Sequence, residues 1–573
     1  MSFRREFLKG LAGGIVAGFP WVTSSSALGR AGNLAPSDKI DLILPPQPGA
    51  AMENIARVFA RQVTQRCDAR MTSTGNAPLR VILAIEPGLG SEGFKISDDR
   101  KDGVRIIGND ERGLLYGVGK FLHSSRYDQG GFTPGDWRWT SLPQGSFRAL
   151  YAATHFMNFY EAAPAQEVQS YVEDLGLWGA NVVIVGFPSW NFQGFDDPAA
   201  RRNLEQLHRV LKAAKAIGLQ VGLGQCPTAG FATAPKEIRA IPVPDDLGRR
   251  GHFGENCCPS NPAGHEYLLS LSTRLFDKFK DIGLNYLVLW PYDEGGCGCT
   301  NCWPWGARGF PKLSRDVVQA ARTRFPAMKS ILSTWCYDTP PAGEWEGLAK
   351  FLETDKGWLD YIMADSHTDF PRYPLDQGVP GGLPLLNFPE ISMWGRSPWG
   401  GYGANPLPKR FEGLWKQTQG KLAGGMPYSE GIYDDINEVI CLQFYWQKSR
   451  AADDILREYL AFEYSPDVVE QLSEAVGLLE KTWIKRGPNS AEAFALLQKV
   501  DAKLTPQAKA AWRWRILYLR GLIDSELFRR NDKMEGPVLK GAFDELTRIY
   551  HVENAHSMPV KPPQLSSAAR AWR

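Results

Sequence analysis

Between residues 147 and 433 short apolar runs recur at a regular interval, each followed by a longer stretch with helical spacing of apolar positions. Eight runs have the length and apolar content of buried strands: 148–154, 181–187, 220–224, 286–290, 330–335, 361–364, 385–388 and 422–426. Helical spacing fills 165–178, 199–217, 262–282 and 315–325 between them. The alternation predicts a parallel α/β fold, and eight such units over about 280 residues predict a (β/α)8 TIM barrel. A doubly wound open sheet is the competing arrangement. No phosphate-binding glycine loop follows the first run, which counts against it.

The flanks have a different pattern. Residues 37–146 predict a small α+β domain, with strands at 41–44 and 81–85 and a helix over 52–65. Within it, Gly103-Val104-Arg105-Ile106-Ile107-Gly108-Asn109-Asp110-Glu111-Arg112-Gly113-Leu114-Leu115-Tyr116-Gly117-Val118 has the form of a strand, a Gly-Asn-Asp turn and a helix start. Beyond Asp434 only helical spacing remains, at 436–446, 455–464, 491–497 and 508–527, so 434–573 is expected to be a helical C-terminal domain. Residues 1–30 form an export signal. Arg4-Arg5-Glu6-Phe7-Leu8-Lys9 is a twin-arginine pattern, and a weakly apolar, uncharged stretch follows from 10 to 27. That stretch is short of the ~20 strongly apolar residues a membrane span needs. A bacterial protein handed folded to the twin-arginine (Tat) export machinery and released to the periplasm or beyond is the expectation, with cleavage within 24–31.

The 103–118 stretch resembles the N-terminal domain that precedes the catalytic barrel in β-N-acetylhexosaminidases and α-glucuronidases (glycoside hydrolase families 20 and 67). The resemblance covers the last third of the 37–146 region, and the rest only in its order of strands and helix.

In barrel enzymes chemistry sits where strands end. The fourth run leads into Asp293-Glu294, the sixth into Asp365, the seventh into Glu390, and Glu430 follows the eighth. Carboxylates converging on one mouth suit glycosidic cleavage: one acid protonates the leaving oxygen while a second carboxylate attacks or activates water. Any one of them could instead cap a helix or pair with a base; four at one mouth carry the expectation. The resemblance refines the roles. Asp293-Glu294 is similar to the Asp-Glu pair of family 20, in which Glu is the general acid and Asp orients the acetamido group. A Glu after strand four with acids after strands six and seven is more similar to family 67, which makes Glu294 the acid and Asp365 and Glu390 the base candidates. His155, Asn158, Trp190, Trp335, Tyr337, Trp394, Arg396 and Trp399 lie at the same strand ends. Their aromatic faces and polar groups would hold a sugar, with Glu430 as a further candidate.

Cysteine use is uneven. Cys297, Cys299 and Cys302 form a Cys-x-Cys-x2-Cys cluster three residues beyond Glu294, and Cys257-Cys258 lie in a neighbouring loop. With Cys257 as the fourth thiolate the set suits a structural zinc; disulfides in an oxidising compartment and free thiols are the alternatives. No histidine joins the cluster, so no cofactor for catalysis is expected.

Composition narrows the function. Of 573 residues, 65 are Lys or Arg and 63 Asp or Glu, a net charge of +2 that gives no reason to expect nucleic acid as partner. Nineteen Trp among 58 Gly and 40 Pro fit aromatic-lined loops of the kind that bind carbohydrate. The expectation is an α-glucuronidase-like glycoside hydrolase. A substrate-assisted β-N-acetylhexosaminidase using Asp293 and Glu294, or a non-catalytic glycan-binding barrel, are the alternatives.

Overall fold

The computed structural model describes residues 35–551 apart from 74, 100–102, 155–158, 243–254, 292–295, 340, 367, 393–402, 419, 430–433, 484 and 534. It begins with a six-stranded sheet built from β1 (Lys39–Ile43), β2 (Arg70–Thr72), β3 (Leu79–Ile85), β4 (Phe94–Asp99), β5 (Gly103–Gly108) and β8 (Thr140–Ser141), in the order β2-β1-β3-β5-β4-β8. β6 (Arg126–Asp128) and β7 (Gly131–Thr133) form a separate two-stranded ribbon. Helices Ala50–Arg66 and Glu111–His123 accompany the sheet. The turn read from the sequence after β5 is a helix cap: Asp110 accepts from the N–H of Gly113 at 2.9 Å and from that of Glu92 at 2.8 Å. A Cβ at Gly113 would lie 2.2 Å from the Gly93 carbonyl oxygen, so only glycine lets the helix start so close to the neighbouring turn.

Eight parallel strands follow and close on themselves: β9 (Phe147–Ala152), β10 (Val182–Gly186), β11 (Gln220–Gln225), β12 (Tyr286–Leu289), β13 (Lys329–Ser333), β14 (Tyr361–Ser366), β15 (Leu385–Ser392) and β16 (Leu422–Gly425). Closure comes from β16 pairing with β9 at Gly424↔Phe147, which excludes the open doubly wound sheet. The chain has the (β/α)8 TIM-barrel fold. Two strands run further than the apolar pattern predicts. β14 extends through Asp365 to Ser366, and β15 continues through Pro389 and Glu390 to Ser392. The extra length of β15 is stabilised by a short strand β17 (Tyr428–Ser429), which pairs with it at Glu390↔Tyr428 and, past a register shift, at Ser392↔Ser429.

From Asp435 onward the described chain is helical, including Asp435–Trp446, Ala452–Glu463 and Trp512–Arg529. The single helix expected over 508–527 is two, because Ala511 is extended (ψ 134°) between Pro506–Ala510 and Trp512–Arg529. Buried ion pairs tie these helices to the rest. Arg513 contacts Asp174 of the first barrel helix at 3.1 Å and Asp435 at 2.6 Å, while Arg61 from the N-terminal helix shares Asp174 at 2.7 Å. No helix among the described residues is long and apolar enough to cross a membrane.

Candidate active site

Strand register decides which side chains meet at the barrel mouth. Side chains alternate along a strand, and residues paired across parallel strands face the same way. Asp365 of β14 pairs with Phe388 of β15, so Glu390, two residues on, shares their face. That face is the barrel interior. The Phe388 ring meets Trp290 at 4.7 Å, Tyr428 at 4.9 Å, and Trp335 and Tyr151 both at 6.2 Å, rings that come from four other strands or strand ends. These aromatics form a floor near the C-terminal ends of the strands, and the two carboxylates stand beside it. From strand spacing and rise, the Asp365 and Glu390 Cα atoms are about 8 Å apart. Both are largely removed from solvent, Asp365 at 9% and Glu390 at 5% exposure.

The backbone of Glu390 is pinned from outside the barrel. Arg410 Nη1 donates to the Glu390 carbonyl at 2.7 Å. Arg410 is itself fixed, because Glu480 accepts the N–H groups of Lys409 and Arg410 at the start of helix Pro408–Thr418. The connections that follow the neighbouring strands β15 and β16 are joined by Asp434, which accepts from the Ser429 hydroxyl at 2.8 Å and from the Asn405 N–H at 3.0 Å.

Other residues expected at the site fall in four places. Trp335 belongs to the buried floor. Trp190 lies in the short helical turn Ser189–Asn191 after β10 and is partly exposed. Tyr337 is buried, with its hydroxyl donating to the Gly306 carbonyl at 2.9 Å and its ring edge-on to Trp345, so it joins two βα loops. Asp293, Glu294, His155, Asn158, Trp394, Arg396, Trp399 and Glu430 lie outside the described residues. Sequence reasoning missed Tyr151, Phe388, Tyr428 and Arg410. Period-two alternation back from Glu390 would have found Phe388; nothing in the sequence marks Arg410.

Beyond β12 a thiol cluster forms. Cys258, Cys297, Cys299 and Cys302 bring their sulfurs within 4.8 Å of one another. All nine cysteines lie among the described residues and none is in a disulfide. Cys257 is not in the cluster, which corrects the expectation that it supplies the fourth thiolate. It is consecutive with Cys258 in an extended stretch hydrogen-bonded to Thr228 and Ile238, so the two side chains leave on opposite sides. The Cys257 thiol packs against Gly230 instead. Hydrogen bonding from Cys302, with main-chain donors and Cys258 adding to it, pushes the Cys297 thiol down to about 5. Its bonding to Cys297 holds Cys302 well up, and burial raises Cys258 to about 11. Within the group, Cys297 is thus the thiol whose hydrogen bonds most favour the charged form.

Comparison with known proteins bears on the sequence in part and on the fold. No protein-family model matches the chain. A probable α-glucuronidase A of Aspergillus oryzae is 27% identical over 263 residues, covering 42% of this chain and 29% of that protein; its Aspergillus flavus counterpart matches to the same degree. The match thus spans less than a third of the length of these relatives. Among solved structures, a family 115 4-O-methyl-α-glucuronidase specific for decorated arabinogalactans superposes with a TM-score of 0.59 at 11% identity, covering 94% of this chain and 79% of that one. A family 89 glycoside hydrolase of Clostridium perfringens gives 0.61 at 12% identity, covering 87% and 64%. The chain thus resembles α-glucuronidases in part of its sequence and shares its fold with glycoside hydrolases.

Proposed function

We propose that the chain is an O-glycoside hydrolase, α-glucuronidase-like, acting on a uronic-acid-bearing oligo- or polysaccharide with a pair of carboxylates. The observation that carries the reading is the placement of Asp365 and Glu390 on one interior face of adjacent strands, beside an aromatic floor at the mouth where barrel enzymes do their chemistry. In this reading Glu294 protonates the leaving oxygen. Glu390 attacks the anomeric carbon or deprotonates the attacking water, and Asp365 holds water or a sugar hydroxyl beside it. Aromatic rings present flat apolar faces to a pyranose, and the low exposure of Asp365 and Glu390 strengthens their interaction with the charge that develops as the bond breaks. The partial likeness to the two Aspergillus proteins and the fold shared with a family 115 α-glucuronidase favour a uronic acid as the sugar. Catalysis uses no cofactor, and the thiol cluster would hold a structural zinc apart from the reacting atoms. The twin-arginine pattern favours work in the periplasm or outside the cell.

A panel of nitrophenyl glycosides and uronic-acid-capped oligosaccharides tests the proposal, with Glu390→Ala as the control. Turnover of a glucuronide that disappears in the variant is the expected result. Glycan binding without turnover of any substrate, unchanged by Glu294→Gln, would replace the hydrolase by a glycan-binding barrel.

A further inference from the structure

We infer that Cys258, Cys297, Cys299 and Cys302 bind one zinc ion that staples the loop after β12 to the neighbouring βα loop, setting the base of the segment that carries Glu294. The catalytic part of this inference rests on the hydrolase reading; the metal site does not.

Geometry is the first argument. Four thiolates about 2.3 Å from a tetrahedral zinc lie about 3.8 Å from one another. The sulfurs of Cys258 and Cys299 are 3.8 Å apart, and all four lie within 4.8 Å. A disulfide would need about 2.05 Å. The Cys258–Cys299 separation thus matches the edge of a zinc coordination tetrahedron, and the other sulfurs lie close enough to complete one.

The surroundings are those of a closed structural site. Cys297 and Cys302 are fully buried, and among the described residues no carboxylate or imidazole joins the four sulfurs. Cys299 and Cys302 sit at the two ends of a tight turn, in which the N–H groups of Cys302 and Trp303 both donate to the Cys299 carbonyl, at 3.0 and 2.9 Å. The Ser260 hydroxyl lies 3.0 Å from the Cys302 sulfur, placed to donate to a thiolate and moderate its charge. All-thiolate coordination with no open position favours zinc over harder cations and leaves no place for substrate.

The third argument is what the site fastens. Cys258 belongs to the stretch before helix Pro262–Lys278, whereas the other three belong to the loop that leaves β12. In that loop the Trp305 indole N–H donates to the Pro291 carbonyl at 2.5 Å. The same indole is packed against Gly296 and Gly309, where an added Cβ would lie 2.7 and 2.4 Å from ring atoms. Pro291 and Gly296 bracket residues 292–295, which include Asp293 and Glu294. Both brackets therefore bear on one indole, and Cys297, next to Gly296, is a ligand. A metal that fixes Cys297 and Cys302 fixes Trp305 between two held points. Zinc here is a positioning device, with no part in the reaction itself.

The test uses the full chain purified without chelators. Elemental analysis should find about one zinc per chain. Cobalt substituted for it should give the intense near-ultraviolet thiolate-to-cobalt band and the visible bands of a tetrahedral site. Cys258→Ser and Cys299→Ser should each cut the metal content to a small fraction, whereas Cys257→Ser should keep the full complement. Should the serine variants fail to fold, chelator titration of the unmodified protein reads the same site through zinc release and a fall in thermal midpoint. Metal-free protein with free or covalently paired thiols would overturn the inference, as would equal zinc loss in Cys257→Ser and Cys258→Ser. Zinc removal should lower turnover of unactivated glycosides at least tenfold more than that of nitrophenyl glycosides, since only the former need the acid on the stapled loop. If the zinc-loaded protein cleaves no glycoside, the hydrolase reading fails while the metal count stands.

Discussion

Replacing Glu92 with alanine should destabilise the protein more than almost any single change outside its apolar core. Glu92 sits in the turn before β4 and is the counter-ion of Arg148, a wholly buried guanidinium on the first barrel strand, at 2.5 Å. It also holds Arg112 at 3.1 Å and accepts from the Asn181 amide at 3.2 Å. Removing it leaves two guanidinium groups near one another without their shared carboxylate. Breaking one partner from a buried pair costs about 3–5 kcal/mol, because the remaining charge stays desolvated. The Gly179 and Gly145 carbonyls still accept from Arg148, at 2.7 and 2.6 Å, and keep the loss within that range. Glu92 has a φ of 62°, which penalises alanine as well, so Glu92→Gly should recover about 1 kcal/mol relative to Glu92→Ala. Urea unfolding followed by tryptophan fluorescence reads the effect. With a slope of about 3 kcal/mol per M, the midpoint should fall by roughly 1 M or more. Arg148→Met should cost much less in the Glu92→Ala background than in the unmodified protein. Strict additivity of the two, or a midpoint shift below about 0.3 M, would show that the pair does not hold the N-terminal sheet to the first barrel strand.

Three further outcomes are expected. Glu390→Ala should lose at least ~10³ of kcat/KM on a cleavable glycoside while Asp365→Ala keeps more, and azide should restore turnover of the first and form a glycosyl azide; full activity of Glu390→Ala without an added anion would move the role to another carboxylate. His123 is buried and stacked on Trp178 at 3.6 Å, facing Glu458, Lys120, Arg66 and Arg450, and burial holds its pKa well below the ordinary value. The unfolded chain takes up that proton near pH 6.5 and the folded one does not, so this stability is complete above about pH 6.5 and is lost on acidification through the folded pKa, by up to ~1.4 kcal/mol per pH unit. In thermal scans from pH 7 to 5, His123→Phe should flatten the decline, and an unchanged slope would refute the assignment. Replacing Arg4 and Arg5 together with lysine should strand the precursor in the cytoplasm of a host with a twin-arginine pathway, and normal export of that variant would dismiss the signal.

The barrel was legible because parallel strands buried on both faces are apolar runs, and their helices carry the 3.6-residue period. All eight strands fall at their expected places. What the apolar pattern could not show was where β14 and β15 stop. Asp365, Pro389 and Glu390 interrupt the run in composition but not in backbone, because pairing with β14 and β17 carries β15 past a proline whose missing N–H leaves the ladder intact around it. The site was legible to the same depth. Strand-end carboxylates could be named one by one, whereas the aromatic floor depends on register across five strands and strand ends, which no local pattern encodes. The choice of Cys258 over Cys257 is likewise a matter of which side of an extended chain faces the cluster, and adjacent cysteines are indistinguishable until that strand direction is known.

The two carboxylates assigned the chemistry would be held by different means, and this bears on how each tolerates change. Glu390 is part of the sheet. Its neighbours are fixed by main-chain pairing on both sides, and Arg410 fixes its carbonyl from behind. Glu294 comes after β12 in sequence, in a connection whose described part is held by the Trp305 indole, by the thiols, by the Gly298 N–H on the Ile241 carbonyl and by Gly306 on Tyr337 and Glu344. Productive geometry in such a pair has to be kept to about 0.5 Å. A strand delivers that through its hydrogen-bond ladder. A loop this rich in glycine and cysteine does not, unless cross-linked. The sequence around Gly295-Gly296-Cys297-Gly298-Cys299 has little intrinsic stiffness and few side chains to pack. If the proposed zinc is bound, Trp305 and the sulfur cluster would supply, three residues from the proposed acid, stiffness that the glycines do not.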